Sequence, residues 1–116
     1  MHWSNPLELG IGTVLSAQCT DKKVNQVTKT LFKKSRTARA YARASLPALE
    51  KEIYSTGFYR SKARYLKGIG EILEKKFGGT VPRTRDELLT LPGVSYKSAN
   101  LIMAKAFGTP TGIAVD

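Results

Sequence analysis

Apolar residues along this chain recur at intervals of three and four, and no stretch alternates with period two for long enough to argue a sheet, so the pattern predicts an all-α protein. Asn5-Pro6 reads as a cap followed by proline at the first helical position, leading Leu7, Leu9, Ile11, Val14 and Leu15 into a buried first helix. Asp21 is placed to cap a second helix running to about Lys34, and Ser45-Leu46-Pro47 opens another that continues through Ile53. Gly57 breaks the chain before a long segment from about Tyr59 to Phe77. There Tyr59, Ala63, Leu66, Ile69, Leu73 and Phe77 keep helical spacing, while Gly68 and Gly70 each cost about 1 kcal/mol of helix propensity and point to close packing. Gly78-Gly79 ends the segment.

After Pro82 the pattern tightens into two helices joined by a short turn. Thr84 with Glu87 three residues later forms a capping box for a short helix ending near Thr90. Leu91-Pro92-Gly93-Val94-Ser95 cannot continue it, because Pro92 disfavours α geometry at Leu91 and Gly93 can take a positive φ. A last helix is expected from about Tyr96 to Phe107, with Gly108 as its C-cap and Pro110 just beyond. The expectation is one compact domain of about six helices over residues 1–116, with no repeat, low-complexity tract or linker to mark a boundary.

Composition narrows the function classes. No apolar run approaches the ~20 residues needed to span a bilayer, and Met1-His2-Trp3-Ser4-Asn5-Pro6 lacks the regions of a secretory signal. Cys19 is the only cysteine, so no internal disulfide can form, and a reducing cytoplasm is the expected compartment for what should be a monomer. Charge is more informative. Lys and Arg number 19 against 9 Asp and Glu, a formal +10 that suits a polyanion, nucleic acid first and an anionic membrane surface second. The excess is clustered: Lys29, Lys33, Lys34, Arg36, Arg39 and Arg43 form one group, and Arg60, Lys62, Arg64 and Lys67 a second. Such groups are otherwise ordinary solvated faces.

The turn at 91–95 exposes backbone N–H groups beside the positive end of the following helix, which is an anion site. A DNA phosphate fits there without contact to any base, so binding through it is insensitive to sequence. The alternative is a connector that only supports packing. Lys97 stands at the start of that helix, opposite a stripe of Ala99, Ile102, Met103 and Ala106 and with Leu101 and Ala104 on its own side. A lysine so placed is a solvated lysine unless something else converges on it. The return path supplies one such group: the helix carries the chain ~15 Å from Lys97, residues 108–116 span up to ~27–30 Å, and Asp116 can therefore come back to its level.

The run Leu91-Pro92-Gly93-Val94-Ser95-Tyr96-Lys97-Ser98-Ala99-Asn100, with Ala106-Phe107-Gly108-Thr109-Pro110 and Ile113-Ala114-Val115-Asp116, resembles the helix-hairpin-helix and Gly/Pro-rich loop with aspartate of endonuclease III-type DNA glycosylases. Leu15-Ser16-Ala17-Gln18-Cys19-Thr20-Asp21 and Gly57-Phe58-Tyr59-Arg60-Ser61-Lys62-Ala63 resemble two further segments of that family in the expected order, so the likeness covers essentially the whole chain. It implies base-excision repair of damaged double-stranded DNA: removal of a base, then cleavage of the abasic strand by β-elimination. Lys97 matches the nucleophilic lysine and Asp116 the catalytic aspartate. Gln18 and Phe58 match the positions that enter the duplex where a nucleotide has been flipped out. Leu91, Gly93, Val94 and Ser95 match the hairpin that holds the DNA backbone. Taken alone, Gln18 would be a surface glutamine and Phe58 a packed aromatic.

Two positions depart from the family pattern. Ser95 stands where these hairpins usually carry glycine, with a hydroxyl as a substitute donor, and Tyr96 stands where a basic residue is common. The presence of Lys97 puts the chain with the relatives that both excise and cleave. The resemblance also implies further helices beyond Asp116 and commonly a four-cysteine iron–sulfur segment. Cys19 alone cannot hold such a cluster, and no metal or other cofactor is expected within these residues. Two alternatives stand beside the enzyme: a non-catalytic helix-hairpin-helix DNA-binding module, and an inactive fragment that needs its missing part to fold.

Overall fold

A computed structural model of the protein describes residues 2–108, and these are built from helices and connecting turns, with no strand among them. The helices are α1 (Pro6–Leu15), α2 (Asp21–Lys34), α3 (Ala38–Arg43), α4 (Leu46–Ile53), α5 (Tyr59–Lys76), α6 (Arg85–Leu88) and α7 (Tyr96–Phe107), with a 3-10 turn at Tyr54–Thr56 between α4 and α5. Most starts follow the sequence signals. The Asn5 side chain accepts from Glu8 N–H, with Pro6 beside it in the first turn. Ser45 caps α4 in the same way, and Gly108 closes α7 in the left-handed region. Glu87 N–H donates to Thr84 Oγ1, and that hydroxyl donates to the Glu87 carboxylate, but α6 ends at Leu88, short of Thr90. At α2 the cap is Thr20, whose hydroxyl accepts from Lys23 N–H; Asp21 is the first helical residue instead.

The short helix α3 is additional to the six that the pattern predicts. Its cap is Thr37, and its arginines lie in the first basic group, where the absence of a long apolar period hides a six-residue helix. Ala38 and Tyr41 are its buried face.

The core is shared by all the longer helices. Leu9, Ile11 and Leu15 of α1, Val24 and Leu31 of α2, Leu49 and Ile53 of α4, Leu66 and Leu73 of α5 and Ile102 of α7 are almost wholly removed from water. Burying a side chain of this size is worth roughly 1.5–3 kcal/mol, so this cluster dominates the favourable side of folding. Helix α5 packs on α3 and α4, and α1 packs on α7 and α5. The two glycines inside α5 are where neighbours come closest. A Cβ at Gly70 would lie 2.5 Å from both the Ala38 carbonyl and the Ala42 amide of α3. One at Gly68 would lie 2.7 Å from Pro92 in the turn between α6 and α7. Helix α5 is thus the floor on which that turn rests.

Candidate functional site

The turn between α6 and α7 is rigid for identifiable reasons. The side chains of Leu91 and Val94 are buried, and Val94 N–H donates to the Leu91 carbonyl at 3.2 Å. Gly93 has φ +78°, and a Cβ there would lie 2.8 Å from the Tyr65 ring of α5, so only glycine suits both the conformation and the space. Ser95 is the N-cap of α7: its oxygen accepts from Ser98 N–H at 3.1 Å, and its hydroxyl pairs with Ser98 Oγ at 3.0 Å. The serine that replaces the family's glycine is therefore engaged in capping. Leu91 N–H is also spent, on the Leu88 carbonyl. The N–H groups of Gly93, Ser95 and Tyr96 have no acceptor among the described residues and sit at the positive end of a 12-residue helix. Arg85 extends this surface, stacked 4.7 Å over the Tyr96 ring and donating to Asn100 Oδ1 at 3.3 Å.

Lys97 lies one position into α7 and is exposed, as the helical stripe predicts; Ala99, Ile102 and Met103 are buried opposite it. It lines a cleft of about 450 Å³ between α1 and α7, together with Thr13, Ser16 and Ala17 of the α1 side and Ser98, Asn100, Leu101 and Ala104 of α7. Lys97 carries the only amine among these lining residues. Asp116, Thr109, Pro110 and Ile113-Ala114-Val115 lie outside the described residues.

Gln18 follows Ala17 at the cleft rim, in the turn that leaves α1, and is exposed. Phe58 precedes α5 and is 64 % exposed, so it is not an aromatic packed into the core at a helix start. The two have a property in common that their sequence does not display. Among the described residues they are the only non-glycine residues with positive φ, 52° at Gln18 and 47° at Phe58. A left-handed conformation costs a residue with a Cβ of order 1 kcal/mol or more, and such strain persists where surrounding structure enforces it.

The second basic group divides. Arg60 and Arg64 are exposed on α5, Arg60 over the Tyr59 ring at 5.5 Å. Lys62 and Lys67 turn inward. Lys62 is 3 % exposed and its Nζ donates to the carbonyls of Leu15 at 2.9 Å and Thr56 at 3.0 Å. Lys67 Nζ donates to the carbonyls of Ala42 and Ala44. These two lysines are spent on backbone carbonyls, which corrects the reading of Arg60, Lys62, Arg64 and Lys67 as one solvated group. The signal was present: Lys62 falls on the line of Tyr59, Leu66, Ile69 and Leu73, inside the apolar stripe. In the first group, Lys34 is paired with Glu52 at 3.8 Å and Arg39 with Glu74 at 3.4 Å.

A four-cysteine cluster does not fit the residues present. Cys19 is the chain's single cysteine, and no three His, Cys, Asp or Glu side chains converge among the described residues. No helix among them is long and apolar enough to cross a membrane.

A glycine turn between two helices, with open backbone donors at the start of the second, makes a helix-hairpin-helix whose open end suits an anion. Comparison with known proteins gives the family. Residues 11–116 match the HhH-GPD superfamily of base excision DNA repair proteins, and the chain belongs to it. It is 49 % identical to endonuclease III of Bacillus subtilis over 113 residues, 97 % of this chain and 51 % of that protein, and 44 % identical to endonuclease III of Synechocystis over 116 residues, all of this chain and 53 % of that one. Among solved structures, a trapped endonuclease III–DNA covalent intermediate aligns with a TM-score of 0.92 at 51 % identity, covering 95 % of this chain and 52 % of that chain. A thermostable thymine-DNA glycosylase aligns with a TM-score of 0.87 at 27 % identity, covering 93 % of this chain and 50 % of that one. The chain spans about half the length of these relatives.

Proposed function

We propose that this chain carries the DNA-engaging and catalytic residues of a base-excision DNA N-glycosylase that also cleaves the abasic strand, acting on damaged double-stranded DNA. The observation that carries the proposal is the exposed Lys97 amine, the only one among the described residues lining the cleft between α1 and α7, on the residue that follows the hairpin donor Tyr96. The similarity to an endonuclease III trapped covalently on DNA supports it, since such a bond needs a nucleophile on the protein.

In the proposed reaction the hairpin donors of Gly93, Ser95 and Tyr96 hold a phosphate, and Gln18 and Phe58 occupy the space from which a nucleotide is extruded. The neutral Lys97 amine attacks C1′ of the deoxyribose as the bond from C1′ to the base breaks, and the base leaves with a proton; the C1′–O4′ bond then opens, O4′ takes the remaining N–H proton, and the nitrogen stays joined to C1′ as an imine. Loss of a proton from C2′ then expels the 3′ phosphate, which cuts the strand. Asp116, by its match to the family's aspartate, stabilises the positive charge that develops on the sugar.

The test is the chemistry of the cut end. Duplex DNA with one abasic site should be cleaved in the presence of a chelator and leave an unsaturated aldehyde at the 3′ end of the upstream fragment and a phosphate at the 5′ end of the downstream one. A 3′-hydroxyl product would mean hydrolysis and overturn the proposed elimination.

A further inference from the structure

One buried cation bonds the ends of the two segments that lead to Gln18 and Phe58. Leu15 ends α1 three residues before Gln18, and Thr56 ends the 3-10 turn two residues before Phe58. Carbonyls at such ends have no partner further along their own helix. Lys62 reaches both from the second turn of α5, 47 residues from Leu15 in sequence. Its charge also meets the negative end of α1, where a cation is favoured.

The arrangement is costly for a purely structural element. Lys62 is 3 % exposed, and no carboxylate pairs with it among the described residues. Burial holds its ammonium below the usual lysine range, partly opposed by the nearby Cys19 thiol. An apolar side chain at this place in the stripe would avoid that desolvation, but it would leave both carbonyls unpaired and the two turns unconnected.

We infer that Lys62 is a positioning residue: its two hydrogen bonds lock the turn carrying Gln18 to the turn carrying Phe58, so that both side chains enter the duplex as one rigid unit. This rests on the proposed roles of Gln18 and Phe58. Without the tie each turn can relax out of its left-handed conformation independently. A single-stranded substrate needs no such entry, so the tie matters for duplex alone.

The experiment compares cleavage of an abasic site in duplex and in single-stranded DNA by the full-length protein, for Lys62→Met, Lys62→Gln and Phe58→Ala, each corrected for its folded fraction. Lys62→Met should lower the duplex rate about ten- to a hundredfold, the scale of a misplacement near 1 Å, and leave the single-strand rate within about twofold. Equal losses on both substrates would make Lys62 a stability residue and overturn the inference. Should Lys62→Met not fold, Lys62→Gln, which removes the charge and keeps two N–H donors on a shorter stem, is judged by the same ratio. Phe58→Ala separates the two levels of the argument. If it leaves the duplex-to-single-strand ratio unchanged, the entry roles themselves fail; if it lowers the ratio and neither Lys62 variant does, only the tie is wrong.

Discussion

Tyr41 is the residue at which the core is least satisfied. Its ring is 1 % exposed, and its hydroxyl has no hydrogen-bond partner among the described residues. Burial, reinforced by the charges of Glu8 and Glu52, holds this phenol well above its ordinary value of 10.0. Tyr41→Phe removes a buried donor that nothing accepts, and it should leave the protein as stable at pH 7 or more stable by about 1 kcal/mol, as measured by denaturant unfolding. The alkaline behaviour gives a sign check. Because the folded pKa is raised, the stability linked to the neutral phenol is intact below pH 10 and is lost as pH rises above it, where the unfolded chain ionises more readily. Lys62 has the opposite sign: its folded pKa is lowered, so its contribution grows as pH rises toward the ordinary lysine range. It is common to both proteins and cancels in the comparison. The wild type should therefore lose more stability than Tyr41→Phe as pH climbs past 10. Parallel curves would mean that the hydroxyl is hydrated or paired.

At the scale of elements, Ser95 serves structure through its hydroxyl while its backbone N–H and those of Gly93 and Tyr96 have no acceptor among the described residues. Its hydroxyl caps α7, so Ser95→Ala should cost about 1 kcal/mol of stability, whereas Ser95→Gly should cost only a few tenths. A glycine variant as damaging as the alanine one would remove capping as the explanation. Helix ends and packing faces across the fold show what the sequence makes legible. The caps at Asn5, Ser45, Thr84 and Gly108, the apolar stripe opposite Lys97 and the close approach at Gly68 and Gly70 follow from local chemistry and periodicity. Helix α3 did not, because six residues cannot display a period and its arginines read as a charge cluster. Nor did the inward turn of Lys62, whose formal charge outweighed its register in the stripe, or that of Lys67, which lies at the stripe's edge. The left-handed backbone at Gln18 and Phe58 was not legible either, because neither is a glycine or asparagine, the types that announce a positive φ.

For the whole molecule, a net charge of +10 favours DNA of any sequence, and affinity should fall steeply between ~50 and ~200 mM salt through counterion release. With Lys62 and Lys67 withdrawn into the fold, Arg60 and Arg64 are the members of the second basic group left exposed on α5. Reversing Arg60 and Arg64 together should weaken binding to damaged and undamaged duplex alike and flatten the salt dependence. A loss confined to damaged DNA would place these arginines in the lesion pocket. The central claim concerns Lys97, and trapping tests it most directly. The full-length protein is mixed with duplex bearing an abasic site and treated with borohydride, which reduces an imine to a permanent bond, and the adduct is mapped by peptide mass. Wild type should yield an adduct on Lys97. Lys97→Gln should yield none, while changing stability by less than ~0.5 kcal/mol, the range for exposed positions. An adduct that survives Lys97→Gln, or that maps to another amine, would contradict the account.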